Sequence, residues 1–209
     1  IDNEIKVFSY DHKTYYKVGD QASDLSITAL AWNLNGELAS ADSEGSIYFW
    51  NKTDKSSYRR IKGLNPVFSL SWSGGGDWLA AGDHKGSIWL YSTSGQTIKL
   101  PKSRAKFIND LSWHPNGDLL AASGKHKQIQ VWNFKANKLA FTLNGHADVV
   151  SSVSWNCDGN YLLSTGDDKT FRLWDCSKKK QAEIYQYYDS SNKPNLARWH
   201  PSENCFALG

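Results

Sequence analysis

The spacing of the tryptophans constrains this chain more than any other feature. Ten of its 209 residues are Trp. Trp32, Trp72, Trp113, Trp155 and Trp199 are separated by 40, 41, 42 and 44 residues. A second aromatic series, Phe8, Trp50, Tyr91, Trp132 and Trp174, steps by 42, 41, 41 and 42. Two interleaved series with one period mean a structural repeat of about 41 residues.

Each repeat carries the same inner grammar. Ile27-Thr28-Ala29-Leu30-Ala31-Trp32 alternates apolar and small residues, as a strand does. Asn35-Gly36 makes a turn, and Glu37 to Ala41 gives a short second strand. Ser43-Glu44-Gly45 turns again before a third strand, Ser46 to Trp50, and Ser57 to Ile61 fits a fourth. The order recurs, with Gly75-Gly76-Asp77, Asn116-Gly117 and Asp158-Gly159 after the later first strands. No segment sustains a helical period. Four strands per repeat predict an all-β chain of β-propeller blades at 26–61, 66–100, 107–143 and 149–187. Half blades at 1–18 and 194–209 flank them. The halves could pair to close a five-bladed ring. Unpaired sheet edges are rarely tolerated, so the expectation is instead a seven- or eight-bladed ring of which this chain is part. The first residue is Ile and Met is absent, so the native N-terminus is expected to lie elsewhere.

The repeat running from Gly145-His146 through Trp155, Asp158-Gly159, Ser164 and Asp168 to Trp174-Asp175 resembles the WD40-repeat family. The resemblance extends over essentially the whole chain. It implies a toroidal scaffold for protein complexes with no catalysis of its own. It also assigns a structural tetrad to His146, Ser164, Asp168 and Trp174. A buried imidazole, hydroxyl, carboxylate and indole can satisfy one another, as burial demands. This reading removes them as a catalytic set. The other blades depart from the pattern. Glu44, Lys85 and His126 take the Asp168 slot, and Ala81 and Ala122 take the Ser164 slot. Those blades are expected to rely on apolar packing. Segment 19–50 looks somewhat like the transducin-β-like corepressor subunits, and 145–209 like mRNA-export propellers. Both imply a nuclear scaffold.

The resemblance further implies a partner-binding face built from three positions per blade. These lie six and four residues before the first-strand Trp, and just before the Asp168 slot. They are Ser26, Thr28 and Ser43; Pro66, Phe68 and His84; Phe107, Asn109 and Lys125; Val149, Ser151 and Asp167. Leu70 with Trp72, and Leu111 with Trp113, already supply the core, which frees Phe68 and Phe107 for an apolar patch. His84 and Lys125 would favour an acidic ligand.

Composition excludes several alternatives. Hydrophobic residues make up 40% and charged residues 22%, as in a globular protein that can bury a sizeable core. No apolar run is long enough to span a membrane as a helix. Three widely spaced cysteines, Cys157, Cys176 and Cys205, read as buried free thiols of a reducing compartment, so a nuclear or cytoplasmic location is expected. The Asn51-Lys52-Thr53 sequon is set aside for want of a signal peptide. Gly74-Gly75-Gly76 lacks the following Gly-Lys-Ser/Thr of a phosphate loop. His114-Pro115 and His200-Pro201 fit turns better than a metal site. Neither cofactor nor metal nor small-molecule substrate is expected. Partners are expected to be other proteins of a multisubunit assembly. A net charge of +3 is too small to demand nucleic acid. The basic clusters 59–62, 102–106, 125–127 and 178–180 keep RNA binding as the alternative.

Overall fold

The computed structural model describes residues 5–9, 14–18, 26–50, 57–101, 106–186 and 194–209. Every regular element is a strand, and no helix among these residues is long and apolar enough to cross a membrane. Four sheets have four strands each. The first holds β3 (Ile27–Trp32), β4 (Leu38–Asp42), β5 (Ile47–Trp50) and β6 (Ser57–Ile61). The second holds β7 (Val67–Trp72), β8 (Trp78–Asp83), β9 (Ile88–Ser92) and β10 (Thr97–Lys99). The third holds β11 (Ile108–Trp113), β12 (Leu119–Gly124), β13 (His126–Asn133) and β14 (Lys138–Asn144). The fourth holds β15 (Val150–Trp155), β16 (Tyr161–Gly166), β17 (Thr170–Asp175) and β18 (Lys180–Gln186). All are antiparallel meanders, as the short Gly-containing turns dictate. We call them blades 1 to 4.

Two hairpins flank them: β1 (Ile5–Ser9) with β2 (Thr14–Val18), and β19 (Ala197–Trp199) with β20 (Phe206–Leu208). They form separate two-stranded sheets, so the described strands do not pair into a fifth blade. The sequon, the polar stretch 19–25, the basic residues 102–105 and residue 187 lie outside the described residues.

The core lies between sheets. Blade 1 presents Ala39, Ala41, Ile47 and Phe49 to Val67, Leu70, Trp72 and Leu79 of blade 2. Blades 2 and 3 meet through Leu90, Ile108, Leu111 and Trp113, and blades 3 and 4 through Val131, Val150, Val153 and Trp155. Second strands are rich in Ala and Gly because sheets approach most closely there. A Cβ at Gly82 would sit 2.4 Å from the Ile108 side chain.

The two tryptophan series do different work. Two first-strand indoles reach to the preceding blade: Trp72 donates to the Ala31 carbonyl at 3.2 Å, and Trp113 to the Ser71 carbonyl at 3.0 Å, whereas the Trp155 and Trp199 indole N–H groups are buried without such a bond among the described residues. Third-strand indoles stay within their blade, where Trp50 donates to Ser40 Oγ at 2.8 Å and Trp174 to Ser164 Oγ at 2.8 Å. Trp32 is half exposed, unlike the buried Trp72, Trp113 and Trp155. Among the described residues no first strand lies in front of β3 to cover it.

Candidate partner-binding site

The best-defined polar cluster sits in blade 4. His146 Nδ1 donates to Asp168 Oδ2 at 2.9 Å, because a carboxylate can only accept. The other ring nitrogen, 2.8 Å from Ser164 Oγ, therefore accepts the hydroxyl proton, and Ser164 Oγ accepts from the Trp174 indole. Burial pushes His146 below its ordinary pKa despite Asp168 beside it, which matches this neutral ring. Burial alone would raise Asp168. The Ala147 N–H, the Thr170 hydroxyl and His146 outweigh it and hold the carboxyl below the usual range. Every member of the chain is satisfied, and the cluster bridges β16, β17 and the loop before β15.

The expectation of apolar packing needs correction in blades 1 and 2. In blade 1, Asp42 is wholly buried and accepts the N–H groups of Glu44 and Ser46 at 3.0 and 2.8 Å. In blade 2, Asp83 accepts from Lys85 and Ser87 at 2.9 and 2.7 Å and from the Asn65 amide at 3.0 Å. Asp168 accepts the equivalent N–H, that of Thr170. The carboxylate has moved two residues earlier and still clamps the same turn. Blade 3 has Gly124 there, and Ala122 offers the Trp132 indole no hydroxyl. That N–H is buried without a partner.

The bulge in each first strand sets the face of the ring. Register shifts occur between Ile27 and Ala29, Val67 and Ser69, Ile108 and Asp110, and Val150 and Ser152. The skipped residues are Thr28, Phe68, Asn109 and Ser151, each four before a first-strand Trp. A bulge re-aims the extra side chain out of the pleat. In every blade the position two residues earlier accepts the N–H of the residue before the Asp168 slot: Ser26 from Ser43, Pro66 from His84, Phe107 from Lys125 and Val149 from Asp167. Three side chains per blade are thus gathered on one face.

Eight of the twelve expected residues line one concavity of about 680 Å³: Phe68, His84, Phe107, Asn109, Lys125, Val149, Ser151 and Asp167. Phe68 is 45% exposed. His84 lies 5.8 Å from the Phe68 centroid and stacks on Phe107 at 5.8 Å with the planes 7° apart. The Lys125 ammonium sits 5.8 Å from the Phe107 centroid. Opposite this ladder, Ser151 donates to Asp167 at 3.1 Å. The concavity is apolar and cationic on one wall and acidic on the other. Ser26, Thr28, Ser43 and Pro66 do not line it. The Thr28 hydroxyl instead donates to the carbonyls of Ala41 and Val67, stitching blade 1 to blade 2. Asn195 also lines it, and sequence reasoning missed it. The signal was available, since Asn195 stands four residues before Trp199.

The basic clusters are partly absorbed by packing. The Arg59 guanidinium lies 5.1 Å over Phe49 and donates to the Ser92 carbonyl. Arg60 lies 4.8 Å over Tyr48. Lys178 pairs with Asp175 at 2.9 Å, and Lys179 lies over Phe141. Asp110 joins its own sheet to three others. It accepts from Ser69, Ser152, the Val153 N–H and both terminal nitrogens of Arg198.

Comparison with known families decides the lineage. The model of the WD domain, G-beta repeat, matches residues 15–51, 56–100, 92–133 and 137–175. The chain belongs to the WD40 repeat family. A solved structure titled "Crystal Structure of Mitotic Checkpoint Complex" contains a chain of the same fold, with a TM-score of 0.87 at 19% identity. The match takes in 99% of this WD40 chain and 64% of that one. No curated protein sequence matches.

Proposed function

We propose that this WD40 chain is a non-catalytic scaffold whose bulge-side concavity holds a partner protein within a multiprotein assembly. The observation that carries the reading is the Phe68–His84–Phe107 ladder beside Lys125. Exposed aromatics in a concave setting are the side chains that anchor protein interfaces. A solvated surface has no need of His84 stacked on Phe107 with Phe68 tilted against its other side. The cationic rim favours a segment that sets an acidic residue beside an apolar one. The similar chain comes from a structure named as a complex, which agrees with a role in assemblies. The polar cluster around His146 is consumed by its own hydrogen bonds and leaves no activated nucleophile. Cys157, Cys176 and Cys205 are free thiols, partly exposed at the first two and exposed at Cys205 and not buried as expected, and free thiols suit the nucleus or cytoplasm.

The test is quantitative capture of partners from native extract by the wild type and by Phe68→Ala/Phe107→Ala. The double variant is expected to lose a defined subset of partners while its circular dichroism is unchanged. Retention of every partner by a folded variant refutes the face assignment.

A further inference from the structure

The loop between β19 and β20 gathers three kinds of metal donor. His200, Glu203 and Cys205 are exposed, and one donor atom from each lies within 4.8 Å of the others. Three atoms so spaced lie within about 2.8 Å of a common point, and zinc bonds to N, O and S run about 2.0–2.3 Å. Side-chain movements of roughly half an ångström to an ångström close the difference. Cys205 Sγ is already 3.9 Å from Glu203 Oε2. The frame is held at both ends. The His200 N–H donates to the Cys205 carbonyl at 2.8 Å, and Asn156 donates to Asn204 at 3.3 Å, tying the loop to blade 4.

The corresponding turn in blade 3 makes a useful contrast. It also begins His-Pro, yet Asn116 and Leu119 follow where this loop has Ser202 and Cys205. There the His114 ring is spent on Asn116 Oδ1 at 2.6 Å and on the Gly159 carbonyl at 3.1 Å. Among the described residues, His200 has the Ser202 hydroxyl and N–H near Nδ1, at 3.4 and 3.3 Å. What distinguishes the loop is thus a thiol and a carboxylate placed beside a lightly engaged imidazole.

We propose that His200, Glu203 and Cys205 bind a zinc ion, with water as the fourth ligand. Imidazole, carboxylate and thiolate together suit a borderline-soft ion that accepts tetrahedral geometry, and the thiolate disfavours magnesium and calcium. Cys205 binds as the thiolate, so its proton passes to solvent and affinity rises with pH. The ion would staple the loop and leave one coordination position facing solvent.

Cobalt(II), which replaces zinc and reports thiolate ligation by a near-ultraviolet charge-transfer band, is titrated into the reduced full chain. Zinc affinity is then measured by calorimetry. One metal per chain is expected, with a cobalt band displaced by zinc. Cys205→Ser should abolish the band and weaken zinc at least tenfold. Glu203→Gln and His200→Ala should each weaken zinc while keeping the band. Cys157→Ser and His114→Ala should change neither. All three ligands are exposed, so circular dichroism should match the wild type. The proposal is overturned by absence of a thiolate band, by a band that survives Cys205→Ser, or by one metal shared between two chains.

Discussion

Blade 3 contains an error that one atom should repair. The Trp132 ring is buried, its indole N–H has no partner, and Ala122 occupies the seat from which Ser40 and Ser164 accept the equivalent proton at 2.8 Å. The registers agree: Ala122 pairs with Gln130 as Ser40 does with Tyr48 and Ser164 with Arg172. Ala122→Ser should therefore place a hydroxyl where two sister blades already hold one without exposure. Leaving a buried donor unpaired costs about 1–3 kcal/mol. The new hydroxyl brings a proton that needs its own acceptor, and Ser164 has His146 for this where blade 3 has none assured. The net gain is then about 1 kcal/mol. For a chain of this size that raises Tm by about 2–4 °C. Thermal unfolding by circular dichroism measures the shift, and NMR exchange of the Trp132 indole proton reports the bond itself. Ser40→Ala, which strands Trp50, should lower Tm and speed exchange of the Trp50 indole proton. If Ala122→Ser lowers Tm, or leaves it unchanged with indole exchange as fast as before, the indole was not a liability and the argument fails.

Asp168→Ala strands His146 and two N–H groups and should cost about 1–3 kcal/mol, whereas Glu44→Ala, at an exposed position, should scarcely change the melting temperature. Equal shifts would count against a tetrad-centred blade 4. Acid should act on the same cluster. His146 and Asp168 both have folded-state pKa values below their ordinary ones, so the unfolded chain binds protons more readily. Their contribution is complete above about pH 6.5 and is lost progressively as pH falls below that, first through His146 and then, below the usual carboxylate range, through Asp168. Urea midpoints at fixed pH values should fall more steeply on acidification for the wild type than for His146→Gln/Asp168→Asn. Parallel pH profiles for the two proteins would refute this linkage.

The repeat was legible because one residue type marks it twice per period. Strand number, order and turn positions follow from Trp32, Trp72, Trp113, Trp155 and Trp199 together with the Gly turns. The tetrad of blade 4 was legible for the same reason, since all four members sit at family spacings. Asp42 and Asp83 were not. A buried carboxylate two residues early looks in sequence like any polar turn residue, and only the N–H groups of Ser46 and Ser87 reveal its work. The bulges were hidden too. Strict alternation puts Phe68 on the same face as Leu70 and Trp72, and only the register shift releases it. Glu203 and Cys205 carried no signal until the hairpin folded them back beside His200.

The bulge position does different work from blade to blade. In blades 1 and 3 its side chain is a fastener: Thr28 and Asn109 each bond a carbonyl of the following blade. Phe68 holds the corresponding seat in blade 2 and cannot fasten anything. Blade 2 carries a handle where blades 1 and 3 carry a rivet. Phe68→Asn should tighten the seam to blade 3 and raise Tm, with loss of partner capture. A ring built this way can change what it grips one blade at a time, and each new grip is charged to a single seam and not to the core.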